Sequence, residues 1–286
     1  MKLAFADRLQ YLGDPEFVNV PIKGLLAKSY AAERRALIRF DRANRVADLA
    51  EPGSVGSYVS PGAIGPGNPW AHQEEAPDPG KFSHGGSPGE GPLFLAPDQS
   101  HTTHHSHVDR WGNFVSLTQS LGDGFGSAMV VPGYGFFLNN AMKLFDPRPG
   151  RSNSVAPHKR PATAPCPTLV LRDGRPVMAL GSPSGTRIIN AIAQTIINVV
   201  DHDLGLQHAV NLPRIHWSGD EFEVEQDVPG AAQEHLRALG HELQLRNARS
   251  PWFGSVQVVA RDPDTGLCHG AADPRRQGAV AGATLP

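Results

Sequence analysis

Between Glu51 and Pro97 the chain loses all apolar periodicity and becomes rich in Gly, Pro and Ser. A tract of that composition cannot continue a packed layer, and a loop of that length is either functional or disordered. It therefore divides a helical leading segment from a trailing segment dominated by strand patterns. In the leading segment Leu3, Phe5, Ala6 and Leu9 fall at near-helical spacing before the stop at Gly13-Asp14-Pro15, and a second helix is expected over Ser29–Val46. In the trailing segment residues 103–108 and 113–119 read as strands around a turn at Asp109-Arg110-Trp111-Gly112. Residues 168–171 and 176–180 form a second expected hairpin around Arg172-Asp173-Gly174-Arg175. An apolar helix over Arg187–Val200, a strand over 221–225, a helix over 230–239 and a strand over 255–260 follow. Strand pairs followed by packed helices predict an α+β layered fold.

The chain has 286 residues and a formal net charge of −2, enough for one large or two small domains. It carries no basic block, which argues against nucleic acid as a partner. No apolar stretch approaches the roughly 20 residues that cross a bilayer, and Met1–Arg8 has a charge within its apolar pattern rather than a signal-peptide core. The expectation is a chain without a membrane partner, with the cytoplasm slightly favoured. Cys166 and Cys268 are the only cysteines; their spacing fits neither a disulfide framework nor a zinc knuckle, and either is expected as a buried apolar filler.

The most informative run is Ser100-His101-Thr102-Thr103-His104-His105-Ser106-His107-Val108-Asp109. It places a hydroxyl residue at the start of a strand, just after a flexible leader. Cleavage before Thr102 would free its α-amine, and one residue would then supply both nucleophile and base. The unperturbed amine titrates near ~7.7, so much of it accepts a proton at neutral pH. The bland alternative is two β-branched residues opening a strand. Gly181-Ser182-Pro183-Ser184-Gly185-Thr186 sits between a strand and a helix, where small residues admit a substrate and free N–H groups can hold an oxyanion. Its alternative is a tight turn with Ser182 or Ser184 as N-cap. His101, His104, His105 and His107 raise a metal reading, although His105 and His107 share one strand face and His104 takes the other. The serine turn lacks the Gly-x-Ser-x-Gly frame of a nucleophile elbow.

Further motifs follow in order: Ala4-Phe5-Ala6-Asp7-Arg8, Tyr11-Leu12-Gly13-Asp14-Pro15, Thr102-Thr103-His104, Phe136–Met142, Lys159-Arg160-Pro161, Cys166-Pro167-Thr168, Gly181–Arg187, Asn211-Leu212-Pro213-Arg214 and Ala271–Arg275. Together they resemble the γ-glutamyltranspeptidases and their cephalosporin-acylase-like relatives, along almost the whole chain. The resemblance implies an N-terminal-nucleophile hydrolase with a four-layer αββα sandwich, incomplete at its N-terminal side. It implies cleavage between His101 and Thr102, with Thr102 as nucleophile and Ser120 as a hydroxyl bonded to it. Backbone N–H groups of Ser184 and Gly185 would form the oxyanion hole. Residues 1–101 would end the large subunit and 102–286 would form the small one, the two products staying paired. The substrate would be a small amide such as a γ-glutamyl compound, glutathione among them, and no cofactor or metal is implied.

Two departures bear on substrate and assembly. Where γ-glutamyl-specific members surround the donor's α-amino and carboxylate groups with Asn, Gln and Asp, this chain has Gly122, Ala141 and Leu144. The paired-serine position holds Thr163 and Ala164. Removing a carboxylate partner disfavours a charged α-amino group, so a less charged acyl group is expected, with Asp123 offering partial compensation. The segment from Pro147 to Pro157 is too short for a full lid loop. The chain also begins where the family's large subunit is well advanced, so an N-terminal half, with its carboxylate-binding arginine, is expected to be missing. The competing expectations are a non-catalytic remnant or partner-dependent subunit, and a metal-dependent hydrolase built on the histidines.

Overall fold

A computed structural model describes residues 1–43, 66–81, 101–217 and 221–282. Its elements are α1 (Lys2–Tyr11), α2 (Ile22–Leu26), α3 (Lys28–Ala36), β1 (His101–Val108), β2 (Phe114–Gly122), β3 (Thr168–Arg172), β4 (Arg175–Gly181), α4 (Arg187–Val200), α5 (Leu206–Asn211), β5 (Ile215–His216), β6 (Phe222–Glu225), α6 (Gly230–Ala238), β7 (Leu243–Arg246), β8 (Gln257–Arg261) and β9 (Cys268–Ala272). Three sheets result: the β1–β2 hairpin, a four-stranded antiparallel sheet in the order β3-β4-β8-β9, and a small sheet in the order β5-β6-β7.

The central sheet has two unlike faces because strand side chains alternate. Met178 and Leu180 of β4 and Val258 of β8 point to one face, where they are buried with Ile188, Ala191 and Ile192 of α4 and Val210 of α5. The spacing of Ile188, Ala191 and Ile192 gives α4 the apolar stripe that this face requires. Gly181 belongs to the opposite set. A Cβ there would lie 2.3 Å from the His104 ring of β1, so the β1–β2 hairpin occupies that second face, and only glycine permits the approach. The described residues thus form a hairpin–sheet–helix stack.

The leading segment is tied to this stack by specific bonds. Phe5 of α1 packs edge-on against His216 and Trp217. Asp14 accepts from Arg160 Nη2 at 2.8 Å and Nε at 3.0 Å, and that guanidinium holds its carboxyl far below the usual carboxylate range. Ser152 Oγ donates to Gln10 O at 3.1 Å.

Several expectations shift. The second helix ends at Ala36, not Val46; Leu37 caps it, residues 37–43 form turns and bends, and the rest of that range lies outside the described residues. Part of the Gly/Pro-rich tract is anchored: Gly67 N–H donates to Asp7 at 2.9 Å, Tyr11 Oη donates to Gly67 O at 2.6 Å, and Pro69–His72 form a 3₁₀ turn. These backbone groups bond to side chains of α1, which apolar periodicity cannot register. Cys268 is exposed and Cys166 half-buried, so neither is a fully buried filler. No described helix is long and apolar enough to cross a membrane.

Candidate active site

β1 and β2 pair from Thr102↔Ser120 to Val108↔Phe114, and the register slips by one residue between His101 and Thr102. The slip leaves Leu121 without a counterpart, since His101 pairs with Gly122. Bulges of this kind re-aim side chains next to functional sites. Here it falls at the His101–Thr102 peptide bond, where cleavage is expected. Thr102 is buried while Ser120, across the pair, is exposed. Thr102 Oγ1 donates to Ser120 Oγ at 3.0 Å, and Gly122 N–H donates to the same oxygen at 2.9 Å. With both approaches used by donors, the Ser120 proton is directed to His101 O, 3.4 Å away. One hydroxyl therefore touches both Thr102 Oγ1 and the carbonyl oxygen of the His101–Thr102 bond.

The inward face of the hairpin is polar from Thr102 to Ser106 and becomes apolar only at the Val108/Phe114 pair. Below the Thr102/Ser120 pair, His104 Nδ1 lies 2.8 Å from Thr118 Oγ1 and Nε2 lies 2.9 Å from Ser106 Oγ. Ser106 Oγ donates to Gln257 O at 3.2 Å and Ser116 Oγ to Leu180 O at 3.0 Å, pinning the hairpin to β8 and β4. Burial lowers the His104 pKa to about 4 from its ordinary 6.5. Because the folded pKa is depressed, the neutral ring contributes stability that is complete above pH 6.5 and declines as pH falls towards 4. His216, buried and lowered to about 3, adds in the same direction. Urea midpoints measured from pH 7.5 to 4.5 should fall, and His104→Asn should make that slope shallower. An unchanged slope would contradict the buried neutral ring.

The turn between β4 and α4 supplies the other half of the site. Ser184 and Gly185 both have left-handed backbones, at φ +96° and +53°. For a serine that conformation is strained, and strain of this kind persists where surrounding contacts enforce it. Ser184 Oγ donates to Pro251 O at 3.1 Å and accepts from Arg276 Nη2 at 2.8 Å. Arg187, opening α4, stacks 3.3 Å over the Trp252 ring and so fixes the helix start to the same segment. Neither Ser184 nor Gly185 N–H donates to an acceptor among the described residues. Thr186 is the N-cap of α4, so neither Ser182 nor Ser184 has the capping role of the alternative reading. Ser182 Oγ instead accepts from Ser255 N–H at 3.0 Å.

The positions expected to line the substrate pocket separate into two groups. Gly122 has φ +91°, and a Cβ on it would lie 1.9 Å from Asn140 Oδ1. Asn140 also accepts from Asp123 N–H at 3.0 Å and donates to Asp123 Oδ2 at 2.7 Å, and Lys143 pairs with the other carboxylate oxygen. Asp123 is therefore already engaged by Asn140 and Lys143. Ala141 and Leu144 are half-buried in a 3₁₀ turn beside it. Thr163 and Ala164 are held from the side of α1: Arg8 Nη2 donates to Thr163 O at 3.3 Å, and Thr163 lines a cavity of about 270 Å³ with Leu12, Asp14 and Arg160. Gly122→Ala should destabilise by about 1–3 kcal/mol through its backbone alone, with the Asn140 clash added, in a denaturant titration. A neutral result would mean that this corner is loose.

On the outward face of β1, His105 Nδ1 and His107 Nε2 lie 3.3 Å apart, while His104 faces inward. Among the described residues no group of three or more His, Cys, Asp or Glu side chains converges. Arg276 and Lys143 lie outside the motifs visible in the sequence, and Asn140 falls within one without a role of its own. Only the doubled Arg275-Arg276 offered a signal for the first.

The family described as gamma-glutamyltranspeptidase matches residues 1–283. The chain is 37% identical to a glutathione hydrolase proenzyme of Bacillus subtilis (strain 168) over 287 aligned positions, covering all of this chain and 44% of that protein. It therefore spans under half the length of that relative. The structure of a cephalosporin acylase from Bacillus halodurans superposes with a TM-score of 0.75 at 26% identity, over all of this chain and 44% of the other. The structure of a γ-glutamyltranspeptidase from Pseudomonas nitroreducens complexed with L-DON superposes with a TM-score of 0.57 at 33% identity, over 64% of this chain and the whole of that one. The fold is thus that of the N-terminal-nucleophile hydrolases, mixed helix and sheet.

Proposed function

This chain belongs to the γ-glutamyltranspeptidase family of enzymes, and from that premise we propose that it is the nucleophile-bearing part of an N-terminal-threonine acylase. The observation that carries the proposal is the contact of Thr102 Oγ1, Ser120 Oγ and His101 O around one peptide bond. Thr102 Oγ1 attacks the His101 carbonyl carbon while Ser120 donates to its oxygen. The C–N bond breaks, the Thr102 nitrogen takes up the proton given up by Oγ1 and becomes an amine, and the His101 acyl group sits on Oγ1 as an ester. Water hydrolyses that ester to leave a carboxylate on His101. Residues 1–101 and 102–286 then form two subunits, paired through Asp14–Arg160, Ser152–Gln10 and Phe5–Trp217.

In the processed enzyme the Thr102 amine takes the hydroxyl proton, and Oγ1 attacks the carbonyl of an amide donor. The oxyanion is held by the N–H groups of Ser184 and Gly185, which have no protein acceptor among the described residues. The proton passes to the leaving amine, and the acyl group goes to water in preference to an acceptor amine.

The donor is an acyl group without a charged α-amine. Asp123 is engaged by Lys143 and Asn140, and Gly122, Ala141 and Leu144 offer no carboxylate to an ammonium. Glutaryl-p-nitroanilide should therefore exceed γ-glutamyl-p-nitroanilide in kcat/KM by about tenfold or more, the equivalent of ~1.4 kcal/mol. A preference of that size for the γ-glutamyl compound would contradict the donor assignment. No release from any acyl anilide by processed protein would contradict the acylase reading.

A further inference from the structure

We infer that Arg276 is a positioning residue for this chemistry, coupling the nucleophile strand to the oxyanion turn through one guanidinium. This inference rests on the reading of Thr102 as nucleophile. Arg276 Nη1 donates to Thr102 O at 3.2 Å, and Nη2 donates to Ser184 Oγ at 2.8 Å. The two acceptors belong to the proposed nucleophile and to the turn proposed to hold the oxyanion. Arg276 is separated from them by 174 and 92 positions of sequence, so neither contact is a by-product of local chain geometry. The carbonyl it holds is Thr102's own, which lies on the trailing side of the cleaved bond. The same hydrogen bond therefore serves before and after processing.

The tail that delivers Arg276 is rigid. Arg275, one residue earlier, is wholly buried between Glu225 and Asp273. Two residues later, a Cβ on Gly278 would lie 2.7 Å from Gln257 Oε1. Arg275 and Arg276 lie in the turn that follows β9, so anchoring Arg275 in the core fixes the backbone from which Arg276 reaches Thr102. Arginine suits the position because its planar fork reaches two acceptors at fixed separation, whereas an ammonium is a point donor. Among the described residues no carboxylate pairs with Arg276, so its orientation is set by those two bonds. Its grip on Ser184 Oγ also helps to hold the left-handed turn whose N–H groups face the oxyanion.

The test uses the full-length precursor carrying Arg276→Ala and Arg276→Lys, with cleavage at His101–Thr102 followed over time on denaturing gels. A misplacement of about 1 Å costs ~100-fold in rate, so Arg276→Ala should cleave ~10- to 100-fold more slowly. Millimolar guanidinium should restore part of that rate, while NaCl at equal ionic strength should not, and Lys should recover only part of it. Cleavage of Arg276→Ala at the wild-type rate would overturn the inference. So would slow cleavage that neither guanidinium nor Lys improves, because that is the signature of a fold defect. A wild-type precursor that never cleaves would overturn the nucleophile assignment first, and this inference with it.

Discussion

Thr102→Ala precursor should remain a single chain under conditions in which the wild type becomes two. The variant removes the hydroxyl that donates to Ser120 from the β1 side, and no neighbouring group is arranged to substitute. His104 is bonded at both ring nitrogens and is held neutral by burial. Ser120 accepts from Gly122 N–H and directs its proton to His101 O, so it is arranged as a donor to the carbonyl rather than as an attacking group. Loss of a covalent nucleophile costs on the order of 10⁴-fold or more in rate, which on a gel is no cleavage at all. Thr102→Ser keeps the hydroxyl and should still cleave. Ser120→Ala should slow cleavage without abolishing it, since it removes a hydrogen bond and not the nucleophile. If Thr102→Ala cleaved like the wild type, another group would have to be attacking this bond.

The second large effect is on stability. Arg275 donates to Glu225 and Asp273, Arg214 pairs with Asp273 at 2.6 Å, and Glu225 also accepts from the backbone N–H of Arg214 at 2.8 Å and of Ser250 at 3.1 Å. All four side chains are essentially sealed from water. Two guanidinium and two carboxylate groups balance, and the leftover donors reach the carbonyls of Val210, Leu212 and Phe253. Removing one member leaves a buried charge without its partner, which costs ~3–5 kcal/mol. Glu225→Ala should lower the unfolding free energy by that amount in a denaturant titration, and it should also slow cleavage by loosening the tail that carries Arg276. Glu225→Gln keeps the shape and some of the hydrogen bonds, and should lie between. A loss below about 1 kcal/mol for Glu225→Ala would mean that water enters the cluster.

Periodicity located the elements whose side chains alternate cleanly. Arg187–Val200 was legible to the residue, because a helix with one apolar stripe has a pattern of its own. Both hairpins were legible within one to three residues, because Asp109–Gly112 and Asp173-Gly174 mark their turns. The short strands β5 and β7 and the helices α2 and α5 were not, since elements of two to six residues barely complete one period. Ser29–Val46 was overextended because Leu37 and Ile38 continue an apolar pattern past the point where the helical hydrogen bonds stop.

The site divides in the same way. Thr102, Ser120 and the Ser184-Gly185 turn were reached through motifs near in sequence or through family likeness. Arg276 and the Asn140–Asp123–Lys143 cluster depend on tertiary contacts that no local pattern encodes. The inward polarity of β1 was visible as Thr102, His104 and Ser106 on alternate positions. Its meaning was not, because a half-buried strand with one polar face reads as solvent-exposed on that face. Here that face meets a second sheet, and the hydroxyls bond across the interface to main-chain carbonyls.

The central claim is that Thr102 becomes a chain terminus, and N-terminal sequencing of the purified wild-type protein with intact-mass measurement tests it most directly. Two co-eluting polypeptides are expected, the trailing one beginning Thr-Thr-His-His-Ser. A single intact polypeptide, or a new terminus anywhere other than Thr102, would contradict it.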